Sequence, residues 1–240
     1  MLDGEVVILA GATGRVGGAT LRSMHEAGAE LVVVSRTQEN AEEACRGYDR
    51  TRPVGVDLND PKATGELLEE VVRRSGRVDA VVNLAGKGKF VALTRSTLDD
   101  LRVNLDGFVV PAYNLSIAAL RRMLDQDYRA GRRSRGHIVT VTAGSSKDPS
   151  PEFGLFGAAK AAVNILMRAI AREHKADGIV ANAVVLGGVA TDAARSYLSP
   201  KEFEAAASPD EVANILTFLA SGLSDGINGE LVDLNARETD

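Results

Sequence analysis

The stretch from Glu5 to Gly28 limits the possible folds of this chain more than any other. Val6 to Ala10 is a continuous apolar run, the pattern of a parallel strand covered on both faces. Gly11, Gly14, Gly17 and Gly18 follow at once, with Thr13, Arg15 and Val16 among them, and a helical pattern then runs to Ala27 with Gly28 placed to stop it. Spaced glycines alone would mean little. Between a strand and a helix they permit a tight bend, let backbone N–H groups approach a pyrophosphate, and let the helix pack closely on the strand. That context predicts a dinucleotide site rather than a mere turn.

Strands and helices then alternate to the end of the chain. Strands are expected at Glu30 to Ser35, Pro53 to Asp57, Asp79 to Asn83, His137 to Thr142, Ile179 to Leu186 and Glu230 to Leu234. Helices are expected at Gln38 to Arg46, from the Asp60-Pro61 cap to Ser75, over a long stretch from Leu98 to Tyr128, and at Leu155 to His174. Ser208-Pro-Asp-Glu211 reads as a capping box opening the last helix. This order predicts an α/β fold with a Rossmann-like, doubly wound parallel sheet, and a single domain across residues 1–240. Arg129 to Arg135 reads as a basic, solvated surface turn.

Several function classes are disfavoured. The net charge of −5 argues against general nucleic-acid binding. No apolar run is expected to reach membrane-spanning length, and the first residues lack the pattern of a signal peptide. The single Cys45 suits a reducing cytoplasm and reads as a packing residue, and three scattered histidines offer no metal-ligand spacing.

Open parallel sheets bind ligands beyond the C-terminal ends of their strands. After strand two, where a carboxylate would favour NAD(H), stand Ser35 and Arg36. A guanidinium there accommodates a 2′-phosphate, with Arg15 as a second charge, so NADP(H) is expected over NAD(H).

Several separated motifs resemble the short-chain dehydrogenase/reductase family over nearly the whole length. Asp57-Leu58 resembles its adenine-contacting Asp, and Asn83-Leu84-Ala85-Gly86 its Asn-x-Ala-Gly. Asn104 resembles the helix-four Asn that supports a relay water. Leu186-Gly187 through Thr191 resembles Pro-Gly-x-x-x-Thr, with Leu186 in place of Pro, and Thr191 would contact the nicotinamide carboxamide. The glycine spacing resembles extended and atypical branches; in the main-branch register the middle glycine would be Arg15. Lys160 resembles the Lys that binds ribose hydroxyls and lowers the pKa of a catalytic Tyr. The resemblance also implies a homodimer or homotetramer through the long helices near 98–128 and 155–174.

The acid–base positions depart from that pattern. Where the family places Tyr, four residues before Lys160, this chain has Phe156; in the enoyl-reductase register it has Phe153. The Ser position is Ala143. Loss of general acid catalysis is worth about 10²–10⁴-fold, which leaves room for a substrate that donates from its own neighbouring hydroxyl. Thr142 should face away from Ala143, Ser145 would rejoin its side if the backbone stays extended, and Tyr197 or Lys160 are further donors to weigh. Three readings stand: an NADPH-dependent reductase of atypical mechanism, with Phe153 and Phe156 suiting an aromatic substrate; a non-catalytic NADP(H)-binding sensor or partner subunit; and a fold in which Arg15 obstructs the phosphate and the cofactor is lost.

Overall fold

The computed structural model describes residues 1–196 and 198–234, apart from the side chains of Ala193 and Ser196; Tyr197 lies outside the described residues. Seven parallel strands form one sheet in the order β3-β2-β1-β4-β5-β6-β7. They are β1 (Val6–Ala10), β2 (Glu30–Ser35), β3 (Thr51–Gly55), β4 (Ala80–Asn83), β5 (Gly136–Ala143), β6 (Ile179–Leu186) and β7 (Leu231–Leu234). The helices are α1 (Arg15–Glu26), α2 (Gln38–Cys45), α3 (Pro61–Ser75), α4 (Leu98–Asn104), α5 (Val110–Asp125), α6 (Gly154–Glu173), α7 (Pro200–Ala205) and α8 (Pro209–Leu219).

Alternation along each strand feeds two cores. Ile8, Val32, Val81 and Ile138 pack against Leu68 of α3, Leu115 and Met123 of α5, and Met167 of α6. Val7, Leu9, Val33 and Val184 pack on the opposite face against Leu21 and Met24 of α1 and Leu216 of α8. Each such fully buried side chain contributes about 1.5–3 kcal/mol of transfer free energy. The continuous apolar runs of β1 and β2 follow from having helices on both faces.

Four expectations change. The third strand begins two residues earlier, at Thr51, because it is an edge strand whose half-exposed residues carry no apolar run. Its outer side is sealed by the Gln38 amide, which accepts from Gly55 N–H at 2.9 Å and donates to the Pro53 carbonyl at 3.3 Å. The long helix is divided, since a π-helical turn at Leu105–Val109 separates α4 from α5, which ends at Asp125. Leu98–Asp125 and Gly154–Glu173 are long and apolar enough to cross a membrane by length and mean hydropathy (1.2 and 1.3), against the sequence expectation. The residues that raise that hydropathy include Leu115, Met123, Met167 and Ile170, all packed on the sheet.

The fourth change is the basic turn, which is pinned rather than solvated. Arg132 donates to the Glu5 carboxylate at 2.7 Å, and Arg129 donates to Asp79 and to the Gly4 carbonyl, each at 3.0 Å. The Arg135 side chain donates to the Leu124 carbonyl at 2.7 Å. Ser134 donates to Asp225 at 2.6 Å beside buried His137, whose Nε2 lies 2.9 Å from the same carboxylate. Burial raises the Asp225 carboxyl, but hydrogen bonds from His137, Ser134 and the Arg133 N–H outweigh it and hold the group well below the usual carboxylate range.

Candidate functional site

At the C-terminal ends of the strands, the glycine turn is shaped by backbone contact. Gly11 has φ +92°, and a Cβ there would come within 2.7 Å of the Ala85 nitrogen. A Cβ on Gly17 would lie 2.0 Å from the Gly11 carbonyl oxygen, so no side chain fits between turn and helix. Thr37, Asp60, Thr97, Ser199 and Ser208 cap α2, α3, α4, α7 and α8 with their side chains, but Gly14 gives α1 no side-chain cap, and no acid occupies its first turn. The leading N–H groups and the positive end of the α1 dipole are thus left for an anion.

Two adjoining clefts meet at Gly11, Gly14 and Leu84. One, of about 340 Å³, is lined by Gly11, Thr13 and Gly14 from the turn and by Ser35 and Arg36 after β2. Asp57, Leu58, Ala85 and Gly86 complete its predicted residues. The other, of about 450 Å³, brings Arg15, Val16 and Gly17 opposite Thr191. Asp57 accepts from the Asn59 backbone N–H at 3.0 Å, keeping its loop turned toward the cleft.

Arg36 has no ion-pair partner among the described residues, and neither has Lys87, which lines the same cleft. Arg15 instead pairs with Asp192, just beyond Thr191, and both side chains are about 70% exposed (72% and 71%). Both residues line the second cleft, so the guanidinium there already has a carboxylate partner.

Two predicted cofactor residues stand behind the clefts. Asn83 is buried and its side-chain oxygen accepts from the Ala85 N–H at 3.0 Å, so it shapes the Leu84-Ala85-Gly86 wall without lining it. Gly187 donates its N–H to the Leu234 carbonyl at 3.0 Å and likewise supports rather than lines.

The predicted catalytic residues are placed as follows. Lys160 is half-buried, its Nζ donating to the Val141 carbonyl at 2.9 Å. That nitrogen lies 4.2 Å from the Phe108 ring centroid and 5.8 Å from that of Phe156, and burial pushes the ammonium down to about 8. Phe156 precedes Lys160 by one helical turn, and Ala143 ends β5.

Asn104 is fully buried. Its amide donates to the Lys89 and Asp100 carbonyls at 3.1 and 2.9 Å and its oxygen accepts from Lys89 N–H at 3.3 Å. The side chain is committed to holding the loop after β4, a role its motif did not reveal.

The extended backbone that would return Ser145 to the side of Ala143 is not kept. The chain leaves the extended conformation at once, in a 3-10 turn at Gly144–Ser146, and the Ser145 hydroxyl is buried without a partner. Thr142 is buried on the opposite side of the strand as expected, in step with Ile138 in the α3–α5–α6 core.

Sequence reasoning missed Asn40, Lys87 and Asp106 in the first cleft and Val141 and Asp192 in the second. Lys87 and Asp192 each directly follow a motif residue, and that adjacency was the available signal. Asp106 lies in the π-helical turn, which no periodicity foretells.

Comparison with known proteins agrees with this geometry. The chain is 28% identical to the meso-2,3-butanediol dehydrogenase of Serratia marcescens, covering 99% of this chain and 95% of that one. It is 26% identical to the 3-oxoacyl-acyl-carrier-protein reductase FabG of Escherichia coli, covering 97% and 96%. A crystal structure of a short chain dehydrogenase from Mycobacterium smegmatis superposes with a TM-score of 0.84 at 27% identity, covering 99% of this chain and 94% of that one. These relatives are named as dehydrogenases and a reductase, and the family they share binds nicotinamide cofactors. The short chain dehydrogenase family profile matches residues 5–202, and with that match, a parallel sheet and a glycine turn of this geometry, the chain belongs to the short-chain dehydrogenase/reductase family.

Proposed function

We infer that the chain is an NADP(H)-dependent oxidoreductase that reduces a carbonyl or quinonoid substrate bearing its own hydroxyl beside the reacting oxygen. The observation that carries this reading is the unpaired Arg36 guanidinium in a cleft whose glycine turn opens onto an uncapped helix. A pyrophosphate satisfies the α1 N–H groups, and a 2′-phosphate gives Arg36 and Lys87 the counter-charge they lack.

Gly11, Thr13, Gly14, Val16 and Gly17 would hold the pyrophosphate, Ser35 and Arg36 the phosphorylated ribose, and Asp57 and Leu58 the adenine. Ala85, Gly86 and Thr191 would hold the nicotinamide end. The nicotinamide, when bound, supplies the hydride. Phe156 has no proton to give and Ala143 no hydrogen bond to offer, so the substrate's own hydroxyl delivers the proton to the new alkoxide, and the oxyanion this leaves on the donor takes a proton from water. The Lys160 ammonium, enclosed by aromatic rings, contributes positive charge to that end of the site.

Uncovered apolar residues on the long helices, Leu98, Val103, Tyr113 and Ile165 (61%, 47%, 50% and 62% exposed), support a homodimer or homotetramer through those faces. A single buried thiol, Cys45, suits a reducing cytoplasm.

Calorimetric titration is the test. NADP⁺ should bind more tightly than NAD⁺, and NADPH should be consumed with a panel of hydroxylated aromatic ketones. Equal affinity for the two dinucleotides would remove the role of Arg36, and no binding at all would revive the reading in which the cofactor is lost.

A second reading, a non-catalytic NADP(H) sensor or partner subunit, is favoured by two features: the Phe156 ring makes contacts with Phe90, Phe108 and Phe153, and the Ser145 hydroxyl is buried without a partner among the described residues. Tight NADPH binding with no turnover across the panel, together with an NADPH-dependent change in a partner's affinity, would select it.

A further inference from the structure

A column of aromatic rings runs from the enclosed Lys160 ammonium to solvent. Phe108 and Phe156 lie against the ammonium, Phe156 meets Phe90 edge-on at 5.2 Å between centroids, and Phe90 lies over Phe153 at 4.5 Å with the rings tilted by 33°. Phe90 is 50% exposed, yet it is not a loose surface side chain. The residue before it is clamped by the Asn104 amide through both backbone groups of Lys89, at 3.3 and 3.1 Å. The residue after it, Val91, donates its N–H to the Glu152 carbonyl at 3.0 Å.

Glu152 is itself unusual. Its φ of +71° is in the left-handed region, which a non-glycine residue enters at a cost. That conformation presents its carbonyl to Val91 while its carboxylate accepts from Arg95 at 2.9 Å. One residue thus binds the loop after β4 to the loop before α6, and the next residue in the chain is Phe153. An exposed aromatic ring fixed on both sides by long-range backbone hydrogen bonds, at the open end of an aromatic column, is a preformed stacking surface.

We propose that Phe90 determines substrate specificity by stacking on a planar aromatic ketone or quinone, and that Glu152 is the positioning residue holding Phe90 in place. This rests on the reductase reading above for the chemistry of the ligand, but its test is a binding measurement that needs no turnover. The probes are 2-hydroxy-1,4-naphthoquinone and the small aliphatic diketone butane-2,3-dione, titrated calorimetrically into the full chain with NADP⁺ present.

Phe90→Ala should weaken naphthoquinone binding roughly tenfold, in line with loss of one aromatic stacking contact, while leaving dione and NADP⁺ affinities within about twofold. Phe90→Tyr, which keeps the ring, should retain naphthoquinone affinity. Glu152→Gly relieves the left-handed backbone, so the melting temperature should hold or rise while naphthoquinone affinity falls roughly threefold; a merely structural residue would move the two together. Arg95→Ala and Glu152→Gln should each reproduce part of that loss and should not add when combined. Equal losses for both probes in Phe90→Ala, an unchanged naphthoquinone affinity, or failure of the unmodified chain to bind the naphthoquinone would each overturn the proposal. Naphthoquinone binding that depends on Phe90 in a protein that takes up no NADP⁺ would leave this inference standing and remove the reductase reading.

Discussion

At the N-terminal ends of the strands, Arg77, Arg129 and Arg132 each face a carboxylate less than a tenth exposed, Asp79 at 3% or Glu5 at 7%. At the C-terminal ends, Arg36 and Lys87 share a cleft with Asp57 and Asp106 but form no ion pair among the described residues. The same kind of side chain serves opposite purposes at the two ends. Charges removed from water must be matched inside the protein or they destabilise it by several kcal/mol. Charges kept in a solvated cleft cost little while unpaired and remain available for an anion. One end of the sheet is closed by its own counter-charges, and the other keeps two cations outside any ion pair among the described residues.

Asp79→Ala is expected to have the largest effect. Asp79 accepts from Arg77, Arg129 and the Val6 N–H, so its removal strands two cations at once. Chemical denaturation should show a loss of about 3–5 kcal/mol, and a loss under about 1 kcal/mol would break the contrast between the two ends. At the other end, Arg36→Ala should lower NADP⁺ affinity on the order of 10–100-fold, the worth of about 1.5–3 kcal/mol for a charged hydrogen bond. NAD⁺ affinity and the denaturation midpoint should scarcely move.

A pH series sharpens the comparison. Burial raises the Glu5 carboxyl from 4.5 to about 6, overriding the attraction of Arg132. The folded chain then holds the Glu5 proton more tightly than the unfolded one, so this contribution is complete below pH 4.5 and is lost as pH rises through 6. The difference in stability between the unmodified protein and Glu5→Gln should change by about 2 kcal/mol across that window. Asp225 works in the opposite sense, its contribution being lost as pH falls below the ordinary carboxylate range. The smallest effect belongs to Arg15→Ala. Its exposed pair with Asp192 should be worth less than about 1 kcal/mol of stability, and a melting shift rivalling that of Asp79→Ala would place Arg15 under the wrong rule.

The sheet was legible where physics leaves a local trace. β2 and β6 fall at the expected residues because both are buried on two faces and read as apolar runs, interrupted in β6 by Asn182 alone. β3 was displaced because an edge strand with Thr51 and Arg52 has no such run. The π-helical turn at Leu105–Val109 answers to packing rather than to periodicity. Arg129 to Arg135 looked like a solvated turn because their partners, Glu5, Asp79 and Asp225, lie far away in the chain. In the site, glycines and strand-end residues were readable from backbone requirements alone. Ser145 was not, since one 3-10 turn after β5 decides where its hydroxyl goes. The left-handed Glu152 and the ring column it supports arise from loops that meet only in the folded chain.

The Gln38 amide that seals the outer side of β3 has a consequence for assembly. With Gln38 on that rim and Pro53 contributing no amide hydrogen there, the β7 margin is the one the described residues leave for a neighbouring chain. A ribbon with one adhesive margin can recruit one copy of itself and then has nothing left to offer. Were copies to pair through their strands, growth in that direction would stop at a symmetric pair instead of continuing into a filament.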